Sequence, residues 1–270
     1  MEKVRKIGLF DSGLGGLTVL EALGKVLPEV PKIYYGDTLH LPYGDKSNEA
    51  IVGYSLRIVD FLKAQGCDLI VIACNSASAA AGEALVEAFP EVRFVNVIDP
   101  VVHTLASGKH DRIGLLGTRA TIRSAAYQER LHALNPRIAL QSLSTPLLVP
   151  LIEDGFLGTG IDRSVLNHYL SQDTLQGIQA LVPGCTHYPL LKDLAQELSP
   201  NTSWIDAPAI VARRVAELWA SMTDGPSGHE SKAIGTEMTT YYLSDKTESF
   251  LELAKKTFGI QADWETLVLS

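Results

Sequence analysis

Short apolar runs rich in Val, Ile and Leu alternate along this chain with longer amphipathic segments. That alternation restricts the fold to an α/β class with a mainly parallel sheet. Residues 6–10, 32–36, 68–73 and 93–97 read as strands, and 17–26, 48–65 and 76–89 as helices; Ile51, Leu56, Val59 and Leu62 mark the apolar face of the second helix.

A second series begins near Asp99 and Pro100. Residues 112–116, 139–143 and 177–182 read as strands, and 121–134 and 163–175 as helices. A helix at 209–221, a polar Gly/Ser/Pro-rich surface loop at 223–235, a strand at 239–243 and a helix at 246–258 complete the reading. The two series are alike. Lys6-Ile7-Gly8-Leu9 and Arg112-Ile113-Gly114-Leu115 open them, and each later has an apolar strand running into a cysteine. Cys74 follows Ile7 by 67 residues, and Cys185 follows Ile113 by 72. A polar pair comes after each, Asn75-Ser76 and Thr186-His187. The expected architecture is two similar parallel-sheet α/β domains facing each other across a central cleft.

The 270 residues, 46% of them hydrophobic, suffice for two domains with separate cores. Thirty-one acidic residues against 23 basic ones give a net charge of −8, with no basic stripe, which argues against a nucleic-acid partner. No apolar run approaches the roughly 18 residues of a membrane span. Asp11 interrupts the N-terminal stretch before a secretory apolar region forms. The three cysteines, Cys67, Cys74 and Cys185, are odd in number and widely spaced, so a cytoplasmic protein with free thiols is expected.

An inert cysteine is normally a buried core residue, and Cys67, beside Gly66 between a helix and a strand, fits that pattern. Cys74 and Cys185 instead fall beyond the carboxyl ends of strands, where open α/β sheets bind ligands. A redox couple would use a compact Cys-X-X-Cys. Zinc would need a ligand beyond the two cysteines and His187. Acyl transfer through Cys185 and His187 would leave Cys74 without a role. Two similar groups on two similar halves suit acid–base chemistry on opposite faces of one carbon: one thiolate removes an α-proton while the opposite thiol supplies one. A thiol of ordinary pKa, about 8.5, needs activation for this. Asp11 and His187, one in each half, are the candidate relay groups. A cysteine hydrolase using Cys185 and His187, and a non-catalytic small-anion binder, stand as competing readings.

The loop Asp11-Ser12-Gly13-Leu14-Gly15-Gly16 offers backbone N–H groups and the Ser12 hydroxyl to a small carboxylate. Its Gly-X-Gly-Gly pattern is not the dinucleotide fingerprint, and without Gly-Lys-Ser/Thr it is not a P-loop. Pro42-Tyr43-Gly44, after Gly36-Asp37-Thr38, belongs to the same sheet edge. His40, His103, His110, His132, His168 and His229 lack metal-ligand spacing and read as surface or core residues. No metal is expected, and no motif marks a Schiff-base lysine.

Four motifs together resemble the bacterial glutamate racemases, within the aspartate/glutamate racemase family. They are Phe10–Leu17, Asp37-Thr38 with Pro42-Tyr43-Gly44, Ala73-Cys74-Asn75-Ser76-Ala77-Ser78-Ala79, and Gly184-Cys185-Thr186-His187-Tyr188-Pro189-Leu190-Leu191, in order between about residues 6 and 215. The resemblance implies a cofactor-independent racemase making D-glutamate for peptidoglycan, as a homodimer with its active site between two domains. It carries over Cys74 and Cys185 as the acid/base pair, with Asp11 and His187 supporting them. It also carries over Asp11, Ser12, Tyr43, Gly44, Asn75, Ser76, Thr186 and His187 as substrate contacts. Thr118, Thr121 and Glu153 match further polar positions. One domain would comprise residues 1–98 with the returning tail 207–270, and the other 99–206. An aspartate racemase or another amino-acid racemase of the family is the alternative. Ser76 stands where the family more often has Thr, which keeps a hydroxyl; Asp206-Ala207-Pro208 replaces a more usual Asp-Ser-Ala. With no long extension before the first motif, dependence on a cell-wall precursor activator is not expected.

Overall fold

The computed structural model describes residues 5–222 and 238–269, so the expected loop at 223–235, with His229, lies outside the described residues. The first sheet holds β1 (Lys6–Asp11), β2 (Lys32–Gly36), β3 (Cys67–Ile72) and β4 (Arg93–Asn96). The second holds β5 (Arg112–Gly117), β6 (Ala139–Ser144), β7 (Ala180–Gly184) and β8 (Ser203–Trp204). The late strands β9 (Thr239–Leu243) and β10 (Trp264–Thr266) return to the first sheet beside β2. The strand orders are β10-β9-β2-β1-β3-β4 and β6-β5-β7-β8, with every pairing parallel.

Both series therefore repeat one plan: the first strand is central, the second flanks one side, and the third and fourth extend the other. The order reverses between the first and third strands. In open α/β sheets ligands bind at such a reversal, beyond the carboxyl ends of the strands. Asp11 ends β1, and Cys74 lies two residues beyond the end of β3; Gly117 ends β5, and Cys185 directly follows β7. The repeat inferred from sequence is thus present in the topology, with the two cysteines at equivalent switch points.

The helices are α1 (Leu17–Val26), α2 (Asn48–Ala64), α3 (Asn75–Ala88), α4 (Asp99–Ala106), α5 (Arg119–Arg123) and α6 (Ala126–Leu134), then α7 (Leu148–Glu153), α8 (Ile161–Leu170), α9 (Lys192–Leu198), α10 (Ala207–Met222) and α11 (Glu248–Phe258). Alternation along the strands sorts the core. Ile7, Leu9, Leu69 and Val71 face one apolar cluster, while Phe10, Ile70 and Ile72 face another on the opposite side of the sheet. The first cluster continues into Ile113, Leu115 and Val182 of the second sheet and Tyr127 of α6, so one apolar layer ties the two halves together. Each fully buried Leu or Ile in it contributes roughly 1.5–3 kcal/mol. Among the described residues, no helix is long and apolar enough to cross a membrane.

Three elements differ from the sequence reading for identifiable reasons. The helix expected over 121–134 is two helices, broken at Ala125, whose φ is +55°. The Ser124 hydroxyl donates to the Thr121 carbonyl at 2.7 Å and accepts the Ala126 N–H at 3.3 Å, diverting backbone groups from the helical ladder. The strand expected over 177–182 begins later, at Ala180, because Gly177 turns the chain with φ +70°. Pro183 is tolerated in β7 because β8 pairs only with Ala180 and Leu181. The helix expected over 163–175 ends at Leu170, followed by a separate 3-10 turn at Asp173–Leu175. The short α4 and α7, each carrying a proline, gave no periodic signal long enough to read.

Candidate active site

Asp11 organises the β1–α1 loop. Its Oδ2 accepts the Gly13 and Gly16 N–H groups at 2.9 and 3.0 Å, and its Oδ1 accepts the Thr186 hydroxyl at 3.3 Å from the other half. The loop lies so close to that half that a Cβ on Gly15 would stand 2.5 Å from both His187 Nδ1 and Thr186 Oγ1. Only glycine permits that approach. The Thr18 hydroxyl donates to the Thr186 carbonyl at 3.0 Å, a further bond across the halves.

Cys74 precedes the first residue of α3, with its carbonyl taking the Ser78 N–H at 2.8 Å as the helix begins. Its Sγ lies 3.9 Å from Ser12 Oγ. Burial pushes this thiol well above its ordinary range, and the Asp11 and Cys185 charges push the same way; the Ala77 N–H and the Ser12 hydroxyl pull it back. Ser12 is thus the hydrogen-bonding neighbour of Cys74, and Asp11 acts on it through its charge. Asp11 itself is raised by burial, against the opposing influence of His187 and the two glycine N–H groups.

Cys185 has a different support. Its Sγ is 3.6 Å from His187 Nδ1, and His187 Nε2 is 2.5 Å from Glu153 Oε1. The same Glu153 oxygen accepts the Leu14 N–H at 3.3 Å, joining this chain of groups to the glycine loop. Burial works against the charged imidazole, but bonds to Cys185 and Glu153 outweigh it and raise His187 well above the usual histidine value. The ring is held as an imidazolium against the Cys185 sulfur. An imidazolium is the kind of neighbour that activates a cysteine.

The remaining sequence candidates gather around these two thiols. Ser76 and Thr118 hydroxyls meet at 3.0 Å across the halves, and Thr118 donates to Thr121 at 3.1 Å. Gly44 packs on Thr118, where a Cβ would stand 2.8 Å from the threonine's own. Tyr43 donates to Asp37 Oδ2 at 2.5 Å and lies close enough to Cys74 and Asp11 for their charges to raise its phenol further above a value that burial already elevates. Asp11, Ser12, Tyr43, Asn75, Ser76, Cys74, Cys185, Thr186 and His187 are all buried.

Sequence reasoning missed several partners. His40, read as a surface or core residue, pairs with Asp37 at 2.9 Å and stacks on Tyr54 with ring centroids 3.9 Å apart. Tyr34 donates to the Gly13 carbonyl at 2.5 Å, and Tyr127 donates to Asn75 Oδ1 at 2.8 Å. Tyr34 and Tyr127 act through contacts 21 and 52 residues away in sequence, whereas His40 lies only three residues from Asp37. Among the described residues, no group of three or more His, Cys, Asp or Glu side chains could hold a metal ion.

A sequence model of the Asp/Glu/Hydantoin racemase family matches residues 17–215. The chain belongs to that family. It is 39% identical over 259 residues to a glutamate racemase of Aquifex aeolicus, covering 96% of each chain. The fold matches a glutamate racemase of Francisella tularensis, solved in complex with D-glutamate, with TM-score 0.89, 31% identity and 99% of each chain covered. A Thermus thermophilus glutamate racemase, solved with beta-chloro-D-alanine, matches with TM-score 0.86 at 32% identity, over 100% of this chain and 99% of that one. The fold and family implied by the four sequence motifs are those observed.

Proposed function

We propose that this racemase interconverts L- and D-glutamate by a cofactor-independent reaction between two thiols, and that its product supplies peptidoglycan synthesis. The observation that carries the reading is the placement of Cys74 and Cys185 at equivalent ends of β3 and β7, close enough for one sulfur's charge to act on the other. The curated relatives bearing the glutamate racemase name support the substrate.

In this scheme Cys185, beside His187 Nδ1 at 3.6 Å, and Cys74 flank the α-carbon from opposite sides. Cys185 takes the α-proton of one enantiomer while Cys74 delivers its proton to the opposite face. The enantiomer so formed meets the reversed pair. The protonated His187 offsets the carbanionic charge, and Glu153 keeps the ring oriented. Asp11 holds the glycine loop and Thr186 in place. Ser12, Tyr43, Gly44, Asn75, Ser76, Thr186 and His187 provide donors and shape for the substrate carboxylates and amine.

The proposed domains are 1–98 with 207–270, and 99–206. The proposed assembly is a homodimer acting in the cytoplasm, with no nucleic-acid partner. Polarimetry of the purified protein with L-glutamate and, separately, L-aspartate tests the substrate. Rotation should decay to zero with glutamate; decay with aspartate alone would replace the proposed substrate.

A further inference from the structure

The second half grips the start of α3 at two consecutive residues. Thr118, capping α5, meets the Ser76 hydroxyl at 3.0 Å, and Tyr127, in the first turn of α6, donates to Asn75 Oδ1 at 2.8 Å. Asn75 and Ser76 directly follow Cys74. Both arms of the grip come from one bent segment, α5 and α6, whose bend is the left-handed Ala125. A non-glycine residue in that conformation costs about 1–2 kcal/mol. Such an outlier persists only where surrounding contacts over-determine it. Here the bend turns α6 so that Tyr127 reaches across the halves, with Tyr127 1% and Asn75 4% exposed.

A phenol O–H donates to the amide oxygen, and once that oxygen is engaged the amide presents its NH2 group as a donor. We propose that Tyr127 is a positioning residue: by engaging Asn75 Oδ1 it orients the Asn75 NH2 group to donate to a carboxylate of the substrate held between Cys74 and Cys185. This rests on the glutamate reading above. It assigns a task to a tyrosine that meets the substrate only through its neighbour. Burial raises the Tyr127 phenol, and the charge of the nearby Cys185 sulfur adds to it.

The test is steady-state kinetics on glutamate, with thermal melting of each variant, for Tyr127→Phe, Asn75→Ala, their combination and Asn75→Asp. Loss of one net hydrogen bond worth about 1 kcal/mol corresponds to about five-fold in binding. Tyr127→Phe should raise KM about five-fold with kcat changed less than about two-fold, and should change nothing further in the Asn75→Ala background. Asn75→Asp keeps the acceptor for Tyr127 and removes the donor, so KM should rise at least ten-fold. An unchanged KM in Tyr127→Phe, the same KM effect with and without Asn75, or a fall in kcat alone would overturn the proposal. If Tyr127→Phe does not fold, an unchanged KM in Asn75→Asp overturns it instead. Wild-type protein that does not racemise glutamate is a separate failure, of the function itself, visible before any variant is compared.

Discussion

His187 Nε2 and Glu153 Oε1 stand 2.5 Å apart, and the opposite nitrogen of the same ring faces the Cys185 sulfur at 3.6 Å. His187 is buried and Glu153 partly so, with side-chain exposures of 3% and 16%, so their charge interaction is only partly screened. A carboxylate on one side and a sulfur on the other keep the ring protonated where burial alone would discharge it.

Glu153→Gln should lower the His187 pKa and weaken its hold on the Cys185 sulfur. Wild-type His187 is raised, so its contribution to stability is full below the unfolded value of about 6.5 and is lost as pH rises through the raised folded value. In the variant that loss should be smaller and complete at lower pH, and kcat/KM should fall at least about ten-fold. Urea midpoints and kcat/KM across a pH series measure both. A pH dependence identical to wild type would mean Glu153 does not hold the ring's charge.

Replacing either sulfur should disable interconversion but not all proton chemistry. Cys74→Ala and Cys185→Ala should each lose about 10²–10⁴-fold in racemisation. The surviving thiol should still exchange the α-proton of one enantiomer with solvent, and the two variants should favour opposite enantiomers. Proton NMR in heavy water reads this directly. Exchange of both enantiomers at equal rates by one variant would contradict the two-sided arrangement.

Gly15→Ala should damage the site without touching a reacting group. Its Cβ would press on His187 Nδ1 and Thr186 Oγ1 at 2.5 Å, and overpacking of this kind costs roughly 1–3 kcal/mol. Displacement of His187 by a fraction of an ångström to an ångström should lower kcat/KM by up to about 10²-fold. Melting and kinetics together check it; unchanged values in both would mean the loops are not held at the observed separation.

The parallel sheets were legible because buried strands such as residues 68–73 and 112–116 read as nearly unbroken apolar runs. The thiols were legible because each ends such a strand and is followed by polar residues. Glu153 came only through resemblance, since nothing in Leu148–Glu153 marks its carboxylate as aimed at His187. Tyr127 was not legible at all: a tyrosine 52 residues from its partner carries no local signal. The break at Ala125 was hidden because Ser124 is compatible with a continuing helix until its hydroxyl competes for the backbone.

Opposed thiols make one direct demand on isotope placement. With L-glutamate in heavy water, stopped after a small fraction of a turnover of the pool, deuterium should appear at the α-carbon of the D-glutamate formed and be absent from recovered L-glutamate. Label in the recovered substrate at the level found in product, or product carrying the original protium, would contradict proton removal and delivery by separate groups on opposite faces.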